Sequence, residues 1–184
     1  MNSKDKKGEI IHRTAELLSS ADGASDITTR RIAENAGINP AMVNYYFGSK
    51  ENLLKEAISA MNGDRRTETP QSGGGSRKAM FDYLVGICET NMQYAGFGLS
   101  RDTVSFSNDV KKASSVLFEM KGSHDGKKPD KEDAARIFRT VCFLMAASLD
   151  PEGFAECSGT DIRVKSELRS SVSGQLDILL GDSL

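Results

Sequence analysis

The chain has 184 residues, 38% of them hydrophobic and 27% charged, and a net charge of −2. That length suits one well-cored domain, or a small domain joined to a larger one. A pI near 5.8 excludes a protein coated for nonspecific nucleic-acid binding but leaves room for a small local DNA face.

No apolar run approaches the ~20 residues that a membrane span needs. Met1–Gly8 is polar and lysine-rich, unlike a secretory leader, so a cytoplasmic location is expected. Cys88, Cys142 and Cys157 are odd in number and widely spaced, which suggests neither a disulfide framework nor a metal site. Small core residues are the expectation for Cys88 and Cys142, with a redox-sensing thiol as the sharper alternative.

The first helix is expected over about Lys7–Ala21, with Ile10, Ile11, Thr14, Leu17, Leu18 and Ala21 as its apolar stripe and Asp22–Gly23 as its end. Lys4, Lys6 and Lys7 precede it as a basic arm that could reach a phosphate backbone. Thr28 then suits the N-cap of a second helix, and Ile27 and Ile32 are spaced as a hydrophobic staple. Ile32, Ala33 and Ala36 share one face, and Gly37 supplies a left-handed end.

A third helix follows at once. Asn39 is a good N-cap, Pro40 falls where a missing N–H costs nothing, and Ile38 and Val43 repeat the staple. Ser49 opens a fourth, leading into Leu53, Leu54, Ala57, Ile58 and Met61. Two short helices around a glycine turn read as a helix-turn-helix, whose second helix enters the DNA major groove. An ordinary helical hairpin is the bland alternative; the outward residues argue against it. With Ile38, Val43 and Phe47 facing inward, Pro40, Ala41, Asn44 and Tyr45 project outward. Small residues permit close approach, while Asn and Tyr can bond base edges or phosphates. Thr28, Thr29, Arg30, Arg31 and Lys50 lie at helix starts, where free N–H groups favour an anion.

These residues resemble the tetracycline-repressor (TetR) family of transcription regulators. The shared pattern is Thr28, Ile32, Ala33, Ala36, Gly37, Ile38, then Tyr45, Tyr46, Phe47, Lys50, Glu51 and Leu53, within roughly residues 8–60. Asn44 departs from the Tyr that many members carry just before the aromatic pair, so a borrowed operator sequence is unsafe. The resemblance implies an all-α protein, with a three-helix DNA-binding domain over 1–62 and a larger helical bundle over 77–184. It also implies a phosphate contact at Lys50 and places Tyr46 in the DNA-binding set.

Asn62–Ser76, with Pro70 and Gly73–Gly75, reads as a flexible connection. Arg77–Ala95 is apolar on two faces and so is expected to be central in its domain. Two shorter helices, Leu99–Ser107 and Asp109–Lys121, precede a polar loop, Gly122–Lys128. A helix beginning at Pro129–Asp130 stops at Asp150–Pro151, and a last one runs over about Asp161–Leu180. Near-heptad apolar spacing makes Leu144, Leu168, Val172, Leu176 and Leu179 candidates for burial against a second copy, the alternative being the protomer's own core. The family's last two helices pair with their symmetry mates in a four-helix bundle, so a homodimer is implied.

The family's larger domain usually holds an effector pocket. Met80, Tyr83, Asn91, Tyr94, Phe97, Phe106, Phe138 and Met145 are wall candidates because they are aromatic, flexible or polar within apolar helices. An apolar or weakly polar small effector is the expectation, since no charge stands out in those runs. Double-stranded operator DNA is the expected partner, and no cofactor or metal is expected. A regulator under protein-partner or redox control, with no small ligand, is the alternative.

An enzyme is not expected. The two histidines, His12 and His124, lie in a basic helix and a polar loop. Gly96–Phe97–Gly98 begins like a dinucleotide fingerprint, but Arg101 stands where the third glycine belongs. Neither a nucleophile elbow nor a His-Glu-x-x-His pair is present.

Overall fold

The computed structural model describes residues 3–20, 27–61, 75–99 and 103–181. The turn expected at Asp22–Gly23 and most of the connection expected over 62–76 lie outside the described residues. The described residues contain nine helices and no strand. The backbone divides into two compact units, Met1–Asp64 with Gly96–Leu99, and Arg65–Ala95 with Ser100–Leu184.

The N-terminal unit contains α1 (Ser3–Ser19), α2 (Thr29–Ala36), α3 (Ala41–Phe47) and α4 (Lys50–Met61). Helix α1 packs on α2 and α4, and α3 on both α2 and α4. Ile10, Ile27, Ile32, Val43, Leu53 and Ile58 are essentially inaccessible and form the centre. Full burial of a side chain of this size contributes about 1.5–3 kcal/mol. Such a core holds short helices that would be marginal alone. Helix α1 starts earlier than Lys7, so Lys4, Lys6 and Lys7 belong to its first turns rather than to an arm. Lys6 pairs with Glu9 at 3.0 Å and Lys7 with Glu56 at 3.0 Å, which ties those two ammonium groups to the domain.

The C-terminal unit contains α5 (Arg77–Gly96, all but its last residue), α6 (Thr103–Asp125), α7 (Lys131–Leu149), α8 (Pro151–Ser158) and α9 (Lys165–Leu180). Helix α7 packs against α6, α8 and α9. Met80, Leu84 and Cys88 of α5 meet Leu117 of α6, Val141 and Met145 of α7, and Val172, Leu176 and Leu179 of α9 in one apolar core. Helix α5 buries residues around most of its circumference, in keeping with its two apolar faces.

The two short helices expected over 99–121 are one continuous helix, α6. It runs through Gly122 to Asp125, so the expected polar loop is largely helical and the turn comes at Gly126 (φ 66°). Gly122 faces the ring of Pro129, which a Cβ would approach to 3.2 Å; packing across the turn offsets the poor helix propensity. His124 Nδ1 lies 2.8 Å from the carbonyl oxygen of Gly75. A Cβ on Gly75 would stand 2.5 Å from the backbone nitrogen of His124, so this glycine is required by close packing.

Asp150–Pro151 ends α7 and also starts α8. Asp150 accepts from the Gly153 N–H at 3.0 Å, and Pro151 occupies the first turn, where its missing N–H is harmless. Asp130 and Asp133 close a reciprocal capping box at the start of α7. The same Asp133 joins Asp125 around the buried Lys121 ammonium, at 3.5 and 2.8 Å, so a buried charge is paired across α6 and α7.

Candidate nucleic-acid interface

The helix-turn-helix is built by its caps. Thr28 Oγ1 accepts from the Arg31 N–H at 3.1 Å, and its carbonyl accepts from Ile32 at 3.0 Å. The amides of Thr29 and Arg30 precede those bonds, at the helix start where N–H groups favour an anion. Gly37 ends α2 in the left-handed region (φ 61°). The Ile38 N–H returns to Ala33 O at 2.9 Å and the Gly37 N–H to Glu34 O at 3.2 Å, the reciprocal pair of a Schellman end. Asn39 Oδ1 then accepts from Ala41 N–H at 2.9 Å, while Pro40 already has helical dihedrals. Only four residues separate the two helices, and this chemistry sets the angle between them.

Helix α3 buries Val43 and Phe47 and exposes Pro40, Ala41, Asn44 and Tyr45. Tyr45 is 77% exposed, the most open large apolar side chain among the described residues. It stands edge-on to the half-buried Tyr46, with ring centroids 5.1 Å apart. Tyr46 is thus a support for Tyr45 as well as a member of the expected contact set. A rigid, open aromatic beside an open amide can stack, hydrogen-bond, or do both.

Lys50 opens α4, but its ammonium donates to Ile27 O at 3.2 Å, directly before the start of α2. The structure therefore brings Lys50 to the α2 start and makes the two expected phosphate devices one place. Sequence spacing alone did not show this. Ser49 caps α4 by accepting from Asn52 N–H at 3.1 Å. Glu51 is held below the usual carboxylate range by its own backbone N–H and the Ser49 hydroxyl, so it is ionised beside Lys50. Arg30 is pulled across its own helix to Glu34 at 2.8 Å, which raises its pKa and commits its guanidinium to that carboxylate in the free protein.

In the C-terminal unit, Tyr83, Asn91 and Met145 meet at a cavity of about 50 Å³. Ile87, Asp109, Lys112 and Ala113 complete its wall. The last three come from α6, a single helix where the sequence pattern suggests two. Met80 is instead solid core, and Tyr94 and Phe106 lie in or against buried structure without lining this cavity. Phe138 is 55% exposed and faces solvent, which corrects its expected place in a pocket wall. Phe97 belongs to Gly96–Leu99, which groups with the N-terminal unit.

Asn91 is fully buried, and its Oδ1 has no hydrogen-bond donor. An acceptor left so costs about 1–3 kcal/mol. Cys88 lies on the same helix, where burial pushes its thiol up to about 12, unlike the low pKa of a redox sensor. Cys142 is likewise raised by burial, and Cys157 is exposed.

The residues expected to meet a second copy are elsewhere than on the surface. Leu144, Leu168, Val172, Leu176 and Leu179 are each at most 3% exposed and fill the protomer core. The faces of α7 and α9 that remain open carry Phe143 (41% exposed) and Ile178 (50%) instead. Near them lie Ser170, Ser171 and Gly174, small residues along an open groove. Alternation around a helix moved the exposed stripe onto residues that a leucine pattern does not select.

Residues 10–57 match the model of the bacterial regulatory proteins of the tetR family. The nucleoid occlusion factors SlmA of Yersinia enterocolitica and Serratia proteamaculans are each 33% identical to this chain over 55 residues. That is 30% of this chain and 28% of each relative, so the chain spans under a third of the length of the curated relatives it matches. The matched segment is of helix-turn-helix size. Over residues 10–57, which hold the helix-turn-helix, the chain is similar to the bacterial regulatory proteins of the tetR family.

Proposed function

We propose that the protein is a dimeric, sequence-specific transcription regulator, most simply a repressor, that acts in the cytoplasm by binding rather than turnover. The observation that carries this is the α3 face. Tyr45 and Asn44 stand open on it, and Thr28, Thr29 and Lys50 gather at the neighbouring α2 start. Phosphates held at the α2 start would fix the register, and Asn44 and Tyr45 would read base edges. Two copies would place α3 in successive major grooves about 34–36 Å apart on a near-palindromic operator.

The dimer face on this reading is the open side of α7 and α9, with Phe143 and Ile178 over the small residues of α9. A second copy presenting the same face would remove both side chains from water in a two-fold interface. A small effector in the C-terminal cavity would release DNA only to the extent that it binds the non-reading conformer more tightly. Selection of bound fragments from a random double-stranded pool at near-physiological salt tests the reading. Recovery of an inverted repeat is the expected result. Folded dimer with no enrichment overturns sequence-specific binding.

A further inference from the structure

We infer that a clamp around Phe47, made by Lys7 of α1 with Glu56 and Asn52 of α4, sets the aim of α3 and thereby its discrimination between operator and other DNA. This rests on the reading of α3 as the helix that enters the major groove. It assigns three residues outside α3 the role of positioning residues.

Helix α3 has seven residues, too few to hold its shape alone. Its start is fixed by the Asn39 cap. At its end, the Asn44 carbonyl takes the Gly48 N–H at 2.9 Å, and helix geometry leaves the carbonyls beyond it without a donor. Phe47 carries one of these, and Asn52 Nδ2 donates to it at 3.0 Å. Asn52 is itself fixed, because its backbone N–H is held by Ser49 Oγ at 3.1 Å in the first turn of α4.

The Phe47 ring is held independently. It is buried, and the Lys7 ammonium stands 5.1 Å from its centroid, within cation–π range. Glu56 pins that ammonium at 3.0 Å. A partly exposed ion pair of this kind adds little to stability, so its consequence is geometric: it fixes a charge over the ring. From Phe47 the rings continue outward. The centroid of Tyr46 lies 6.3 Å from that of Phe47 and 5.1 Å from that of Tyr45, the open aromatic of the α3 face. A shift of Phe47 therefore reaches Tyr45 through two ring contacts.

The test compares, on the full chain, affinity for the selected operator with affinity for a random duplex of equal length. Asn52→Leu, Lys7→Met and Glu56→Gln should each lower the operator-to-random ratio by roughly threefold or more. Retained affinity for the random duplex shows that the domain is folded. Glu56→Gln is the sharpest of the three, because loss of an acidic charge by itself would favour DNA. Lys7→Arg, which can still stack on the ring and pair with Glu56, should keep the ratio. Lys7→Met should leave the salt slope unchanged; flattening by about 0.9 would make Lys7 a phosphate contact and overturn its place in the clamp. Hydrogen exchange of the Gly48 amide gives a readout without DNA. It should quicken about tenfold in Asn52→Leu, with the amides of α1 and α4 unchanged. Unchanged exchange overturns the clamp, and faster exchange with an unchanged ratio overturns its role in discrimination. A wild-type protein that selects no operator refutes the reading of function, and the exchange comparison still decides whether Phe47 is clamped.

Discussion

Helix α3 and helix α9 both carry a mixture of apolar and polar residues, yet they resolve it in opposite ways. On α3 the buried pair is Val43 and Phe47, and a large aromatic, Tyr45, is left in water. On α9 the four regular apolar positions, Leu168, Val172, Leu176 and Leu179, all go inside, and the off-register Ile178 is left out. The difference lies in what each helix packs against. Helix α3 is seven residues long and touches α2 and α4 on one side only, so its outer face is free for a partner. Helix α9 spans sixteen residues and lies along α7, where a continuous apolar stripe is used up by the protomer itself. An apolar residue outside that stripe is therefore a better marker of a second copy than a leucine within it.

The largest expected effect separates the two sides of α9. Leu176→Ala should destabilise the C-terminal unit by about 2–5 kcal/mol, because it opens a cavity in a fully packed core. Ile178→Asp should leave the protomer folded and shift it to monomer in sedimentation. A dimer unaffected by Ile178→Asp would remove this face from the interface.

On α3, Asn44→Ala and Tyr45→Ala should each cost about 1–3 kcal/mol of operator binding if they read bases. The loss should concentrate at particular operator positions; an equal loss on every sequence would assign the residue to phosphate. Gly37→Ala should destabilise the N-terminal unit by about 1–2 kcal/mol, the cost of a Cβ in the left-handed region. Denaturant melting would show this, and space around Gly37 is open, so the effect is conformational and not steric.

Lys50→Ala should weaken binding to all DNA and flatten the salt slope by about 0.9, one phosphate's worth. An unchanged slope would mean that the ammonium stays on Ile27 O in the complex. The smallest expected effect concerns the thiols. Iodoacetamide at pH 8 should modify the exposed Cys157 and spare Cys88 until the protein is unfolded, read by mass spectrometry. The neutral Cys88 thiol contributes fully to stability below its unfolded pKa of 9.0, and that contribution fades as pH rises toward about 12.

Most of the helix-turn-helix was legible in advance because its boundaries are made by residues that stand at them. Thr28, Gly37, Asn39 and Ser49 each act on backbone atoms at most five positions away. The same locality allowed the outward set on α3 to be placed from its inward set. The convergence of Lys50 on the start of α2 was not legible, because it joins residues 23 positions apart. In the C-terminal unit, the pattern divides between Ser107 and Asp109 and reads Gly122 as a loop, yet α6 runs through both.

The sequence alone was sufficient for the helical class of the described residues, for the helix-turn-helix and for most of its outward residues, since short-range hydrogen bonding and helical period are written in neighbouring positions. The tertiary structure decided which apolar stripe the protomer keeps, and that Asn91 is buried with an unanswered oxygen. Both depend on which distant helices meet, and periodicity along a single helix carries no record of that.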